Sequence, residues 1–179
     1  MSNTHYAKLA LKTIRVKLFE SRTLLFDEYC EEVESRNWIK KASTFKAGVF
    51  VSIHKNGELR GCIGTVEGTT GNVGEEIISN AIEAAFHDPR FLPLEINEFD
   101  EISVKVDILM PKETVESIDQ LDQKKYGVII EQEGRRGLLL PDLESVDSPE
   151  MQVRIAAQKG RINLNKKFRL YRFEVLRYD

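Results

Sequence analysis

The chain has 179 residues, 41% of them hydrophobic, enough to bury a real core and to argue against global disorder. Its 26 Lys and Arg against 29 Asp and Glu give a net charge of −3, without the basic excess of a protein that lives on nucleic-acid phosphates. No apolar run approaches the roughly 20 residues needed to span a bilayer. The amino terminus lacks the uninterrupted apolar stretch of a signal peptide. Two cysteines, Cys30 and Cys62, support neither a disulfide framework nor a structural zinc site, so the expectation is a reduced, cytoplasmic protein without a metal.

From about Thr4 to Phe19, Leu11, Ile14 and Leu18 recur at helical spacing and predict an amphipathic helix. Residues 20–41 stay charged and aromatic, without Gly or Pro, and predict a second helix with unreadable boundaries. From Gly48 the period changes. GVFVSIH and ELRGCIGT flank Lys55-Asn56-Gly57, and Asn-Gly between two such runs is a strong hairpin signal. The turn-rich Thr69 to Asn72 then opens the helix VGEEIISNAIEAAFHD, which Pro89 stops by Asp88.

EISVKVDILMP alternates as a half-buried strand and ends at Pro111. A second hairpin runs from Tyr126 through a turn at Gln132-Glu133-Gly134 to Pro141. Ser148-Pro149-Glu150 is a helix opening, with Ser as cap and Pro at the first helical position, and Gly160 closes that helix. KFRLYRFEVLRY predicts one terminal strand. The fold class expected is α+β, a mainly antiparallel sheet with flanking helices in a single domain over 1–179. Arg60-Gly61 and Arg136-Gly137 each follow a glycine turn, which reads either as a remote internal repeat or as coincidence.

LRGCIGT, Leu59 to Thr65, is the candidate site. Two glycines inside a strand, Gly61 and Gly64, call for close approach of another backbone or of a ligand. A two-residue Asn56-Gly57 turn pairs Val51 with Cys62 and puts the thiol on the core face. A three-residue Lys55-Asn56-Gly57 turn with a bulge pairs Phe50 with Cys62 and puts the thiol among Ser52, His54 and Arg60. One residue of register flips every side chain.

Three readings compete. Cys62 is a catalytic nucleophile, with Arg60 beside it and His87 or His54 as base, or it is a packing cysteine. Arg60, Arg90 and Arg136 converge into a pocket for an anionic carboxylate or phosphate, or they form separate ion pairs. LRGCIGT forms a homodimer or partner interface. No Gly-rich phosphate loop, HExxH, CxxC or GxSxG motif is present, and no cofactor is implied.

FVSIHKNGELRGCIGT, AAFHDPRF, GVIIEQEGRRGLLLP and YRFEVLRY, in that order, resemble the AMMECR domain family, system protein A of the AmmeMemoRadiSam trio. The resemblance covers about 48–179, whereas the helical residues 1–45 carry little of it. It implies a two-lobed α+β domain, and partnership with a Memo-like protein and a radical SAM enzyme. Its signature falls on Leu59, Arg60, Gly61, Cys62, Ile63 and Gly64. It implies no reaction.

Overall fold

A computed structural model describes residues 4–179, which fall into two compact units. The first runs to Leu109 and takes in Leu176–Asp179; the second is Met110–Val175.

In the first unit, helix α1 (His5–Glu20) is capped by the Thr4 side chain. The charged stretch after it forms two helices, α2 (Phe26–Glu31) and α3 (Arg36–Thr44), the latter capped by Ser35. Strands β1 (Val49–Lys55) and β2 (Glu58–Gly64) form the hairpin. Helix α4 (Val73–Ile82), capped by Asn72, runs on into a π-helical turn (Glu83–His87) that ends at Asp88. A 3-10 turn (Ile96–Glu101) leads into β3 (Ile102–Leu109).

The second unit holds β4 (Glu113–Val115), β5 (Gly127–Gln132), β6 (Arg135–Leu139), α5 (Pro149–Lys159) and β7 (Arg169–Phe173). The closing run is two strands, not one: β7 breaks at Glu174, and β8 (Val175–Tyr178) joins the other sheet. The sheet orders are β2-β1-β3-β8 and β4-β7-β5-β6.

The alternation along β1 and β3 puts Val49, Val51, Ile53, Val104, Val106 and Ile108 against α1 and α4, in one core with Leu9, Ile14 and Ile77. In the second unit Val128, Ile130, Leu139 and Leu170 pack with Val153 and Ala156 of α5. Burial of such side chains stabilises by about 1.5–3 kcal/mol each.

The two units repeat one topology. In each, a hairpin leads to a helix and then to a strand that pairs antiparallel with the first strand of the hairpin. Both hairpins close with two residues at positive φ, Asn56-Gly57 and Glu133-Gly134, the backbone that primed hairpin turns require. In both, a glycine of the second strand lies under a helix carbonyl: a Cβ on Gly61 would meet the Ala84 oxygen, and one on Gly137 the Ala156 oxygen. The hairpins differ by one residue. Glu58, Leu59 and Arg60 separate the turn from Gly61, whereas Arg135 and Arg136 alone separate it from Gly137.

Candidate functional site

That additional residue decides the site. The turn is the two-residue Asn56-Gly57, with Lys55 opposite Glu58 and His54 opposite Leu59. Ile53 then faces Gly61, so Arg60 is an unpaired β-bulge residue. Beyond the bulge Ser52 lies opposite Cys62 and Phe50 opposite Gly64. The result mixes the two expected registers: the turn is the short one, yet a bulge, expected only with the longer turn, moves Cys62 off the Val49/Val51/Ile53 face and onto that of Ser52 and His54.

The half-buried Cys62 thiol accepts a hydrogen bond from the Ser52 hydroxyl at 3.2 Å. Gly61 points the other way, where a side chain would come within 2.2 Å of the Ala84 carbonyl oxygen. At Gly64 a Cβ would meet the Phe50 ring. The glycines of the motif are therefore required by close approach, one on each face.

β2 is an edge strand. The N–H of Cys62 donates to Asp88 Oδ2 at 2.8 Å, and its carbonyl accepts from Arg90 Nη2 at 2.9 Å. Arg90 in turn holds Asp88 through Nε and Nη2. Asp88 and Arg90 thus occupy the backbone groups that a further strand would otherwise use. The Arg90 guanidinium and the Cys62 and Arg90 amides hold the Asp88 carboxyl well below the usual carboxylate range.

Arg60 leaves the bulge to grip Glu98 through two nitrogens, at 3.0 and 2.8 Å, and also donates to the carbonyls of Leu92 and Pro93. Lys55 adds a third contact to Glu98. The Arg60 hydrogen bond chiefly pushes the Glu98 carboxyl down to about 2. Past the motif, the carboxylate of Glu76, 1% exposed, accepts from the Thr65 and Thr70 hydroxyls and the amides of Thr69 and Thr70. Burial raises its pKa, but these hydrogen bonds outweigh it and the net direction is down.

Of the candidate site residues, Arg60, Gly61, Cys62, Gly64 and Arg90 come together around β2. His87 does not join Cys62: its Nδ1 meets Glu83 at 3.0 Å on an exposed surface. His54 shares the Cys62 face, with Nδ1 buried and unpartnered among the described residues. Burial, then Lys105, lowers its pKa and favours the neutral ring. The three arginines each have a carboxylate: Arg60 has Glu98, Arg90 has Asp88, and Arg136, in the second unit, has Glu131. Among the described residues no group of three or more His, Cys, Asp or Glu is placed to hold a metal ion. None of the described helices is long and apolar enough to cross a membrane.

Sequence reasoning missed Glu76 and Glu98. Glu76 reads as an ordinary acidic residue in a first helical turn, and Glu98 as loop charge.

The AMMECR1 family model matches residues 7–178. The chain belongs to the AMMECR1 family. A Thermotoga maritima protein is 53% identical over 135 residues, 74% of this chain and 78% of its own length. A Clostridium acetobutylicum protein is 46% identical over 133 residues, which is 74% of this chain but 28% of that longer protein. The crystal structure of an uncharacterised Pyrococcus horikoshii protein superposes with a TM-score of 0.81 at 24% identity, covering 99% of this chain and 92% of that one, and shares the fold. AMMECR1 membership reaches into α1, beyond the segments that carry the resemblance in sequence.

Proposed function

We propose that this AMMECR1-family chain is a binding module whose site is the Cys62 face of β2, and that the ligand is a partner protein. One observation carries the reading. The Cys62 backbone is clamped on its outer side by Asp88 and Arg90, while the thiol meets a serine hydroxyl instead of a base. Such a strand is preorganised for recognition, and rigid presentation lowers the entropic cost of binding. The arginines expected to receive an anion are taken up by carboxylates, which favours a protein surface over a small anion. The Clostridium relative supports this too, since its matched region is a minor part of a longer chain. The Memo-like and radical SAM proteins implied by the family are the partners proposed.

The test is calorimetric titration of the chain with each of these two proteins from one organism, using wild type, Cys62→Ser and Leu59→Ala. Binding weakened by both substitutions supports the site; unaltered binding, or none by the wild type, removes it.

A second reading, a cysteine-dependent enzyme, draws on His54, whose neutral, unpartnered Nδ1 lies on the Cys62 face. It requires alkylation of Cys62 to follow a pH profile that His54→Gln changes. Identical profiles exclude it.

A further inference from the structure

Away from β2, the segment preceding α2 and the outer side of α4 enclose an open groove of about 490 Å³. Leu24, Phe26 and Ile78 form its buried floor, and the half-buried Ile82 and Leu25, 66% exposed, are the apolar side chains open to an occupant. Three carboxylates line it, Asp27, Glu75 and Glu83, and no Lys, Arg or His does. Asp27 has no hydrogen bond or ion pair among the described residues. Among the described residues, the Glu75 carboxylate accepts only from the Gly71 amide and that of Glu83 only from the exposed His87.

The spacing is ordered. Glu75, Ser79 and Glu83 recur every four residues, and so form one stripe along the helix; Ile78 and Ile82 form a second stripe beside it. The two glutamates are about 12 Å apart at 1.5 Å per residue. A small-molecule cavity concentrates its polar groups at one point. Here acidic positions span two turns with an apolar pair one turn apart beside them, the pattern that a helix laid in a groove reads.

We propose that this groove docks a short amphipathic helix of a partner protein, one that presents leucine-like side chains to Leu25 and Ile82 and basic residues about two turns apart to Glu75, Asp27 and Glu83. The charge pattern selects the occupant: three carboxylates and no Lys or Arg line the groove, so an acidic or purely apolar segment would desolvate them without supplying a cation. The groove is separate from the Cys62 face, and the proposal does not depend on that one.

The protein carries its own reporter. Trp38 is the only tryptophan, and its ring lies 6.2 Å from that of Phe26 in the groove wall. The probe is the peptide acetyl-Lys-Leu-Ala-Ala-Leu-Leu-Ala-Lys-amide, titrated by Trp38 fluorescence, with the amide signals of Ile78, Ser79 and Ile82 followed by NMR. Its counterpart with Glu for both Lys and the small cation hexylammonium are run alongside. The expected result is saturable binding of the Lys peptide with shifts at those amides, and affinity roughly tenfold or more above the Glu peptide, as two or three partly screened charge contacts give. The variant Asp27→Asn/Glu75→Gln/Glu83→Gln keeps the shape of the groove and should remove that preference. Equal binding of the two peptides, no shift at α4, or hexylammonium binding as tightly as the Lys peptide each overturns the proposal. Folding of the variant is checked by its circular dichroism; should it not fold, Ser79→Arg, which places a cation in the groove, is expected to abolish Lys-peptide binding.

Discussion

The thiol of Cys62 lies 3.2 Å from the hydroxyl of Ser52, directly across the β1–β2 ladder. That pairing exists because Arg60 is an extra residue in β2. Without the bulge, a two-residue turn would set Cys62 opposite Val51 and bury it in the core.

Glu98 gives the site a pH dependence. Its folded pKa, about 2, lies below the ordinary value of 4.5 because of Arg60. A lowered carboxylate pKa contributes stability that is fully present above the unfolded value and is lost as pH falls from about 4.5 towards 2. Urea unfolding of wild type and Glu98→Gln at a series of pH values should show the largest gap above pH 5, narrowing through this window. A constant gap would assign the effect to shape alone.

Gly61→Ala should destabilise by roughly 1–3 kcal/mol or more, because its methyl would overlap the Ala84 carbonyl, which belongs to the backbone and cannot swing aside. Chemical denaturation reads this directly. Gly57→Ala is the comparison: it meets no neighbour within 4 Å and should cost about 1 kcal/mol through its positive φ alone.

Glu76→Ala leaves the amides of Thr69 and Thr70 without their acceptor. Loss of a buried acceptor costs about 1–3 kcal/mol, so native-state hydrogen exchange at these two amides should accelerate by roughly fivefold or more. Amides in the middle of β5, in the other unit, should be protected as in the wild type.

Asp88→Ala opens the edge of β2. The Cys62 amide loses its acceptor and Arg90 its anchor, at a cost of about 1–3 kcal/mol. With the edge uncovered, association that rises with protein concentration is expected by light scattering. A variant that is destabilised yet associates no more than the wild type would show that Asp88 holds the loop without guarding the edge.

Much of the fold was legible because its signals are local. Asn56-Gly57 announced the first hairpin, Ser148-Pro149 the start of α5, and the alternation from Ile102 to Ile108 the strand β3. The terminal run misled because KFRLYRFEVLRY has strand character throughout, and nothing local marks Glu174 as the point where the chain leaves one sheet for another.

By itself the sequence determined that LRGCIGT is a strand crowded by close neighbours, and that the chain is an α+β protein of the AMMECR1 kind. Glycine spacing and turn chemistry act between adjacent residues, and can be read there. Only the tertiary structure decided which face Cys62 takes, that Asp88 and Arg90 hold its backbone, and that Arg60 closes on Glu98. Those partners lie 26, 28 and 38 residues away along the chain. The bulge that governs the face is a single unpaired residue, whose side chain closes on Glu98. Such a pairing between distant groups leaves no periodic trace in the sequence.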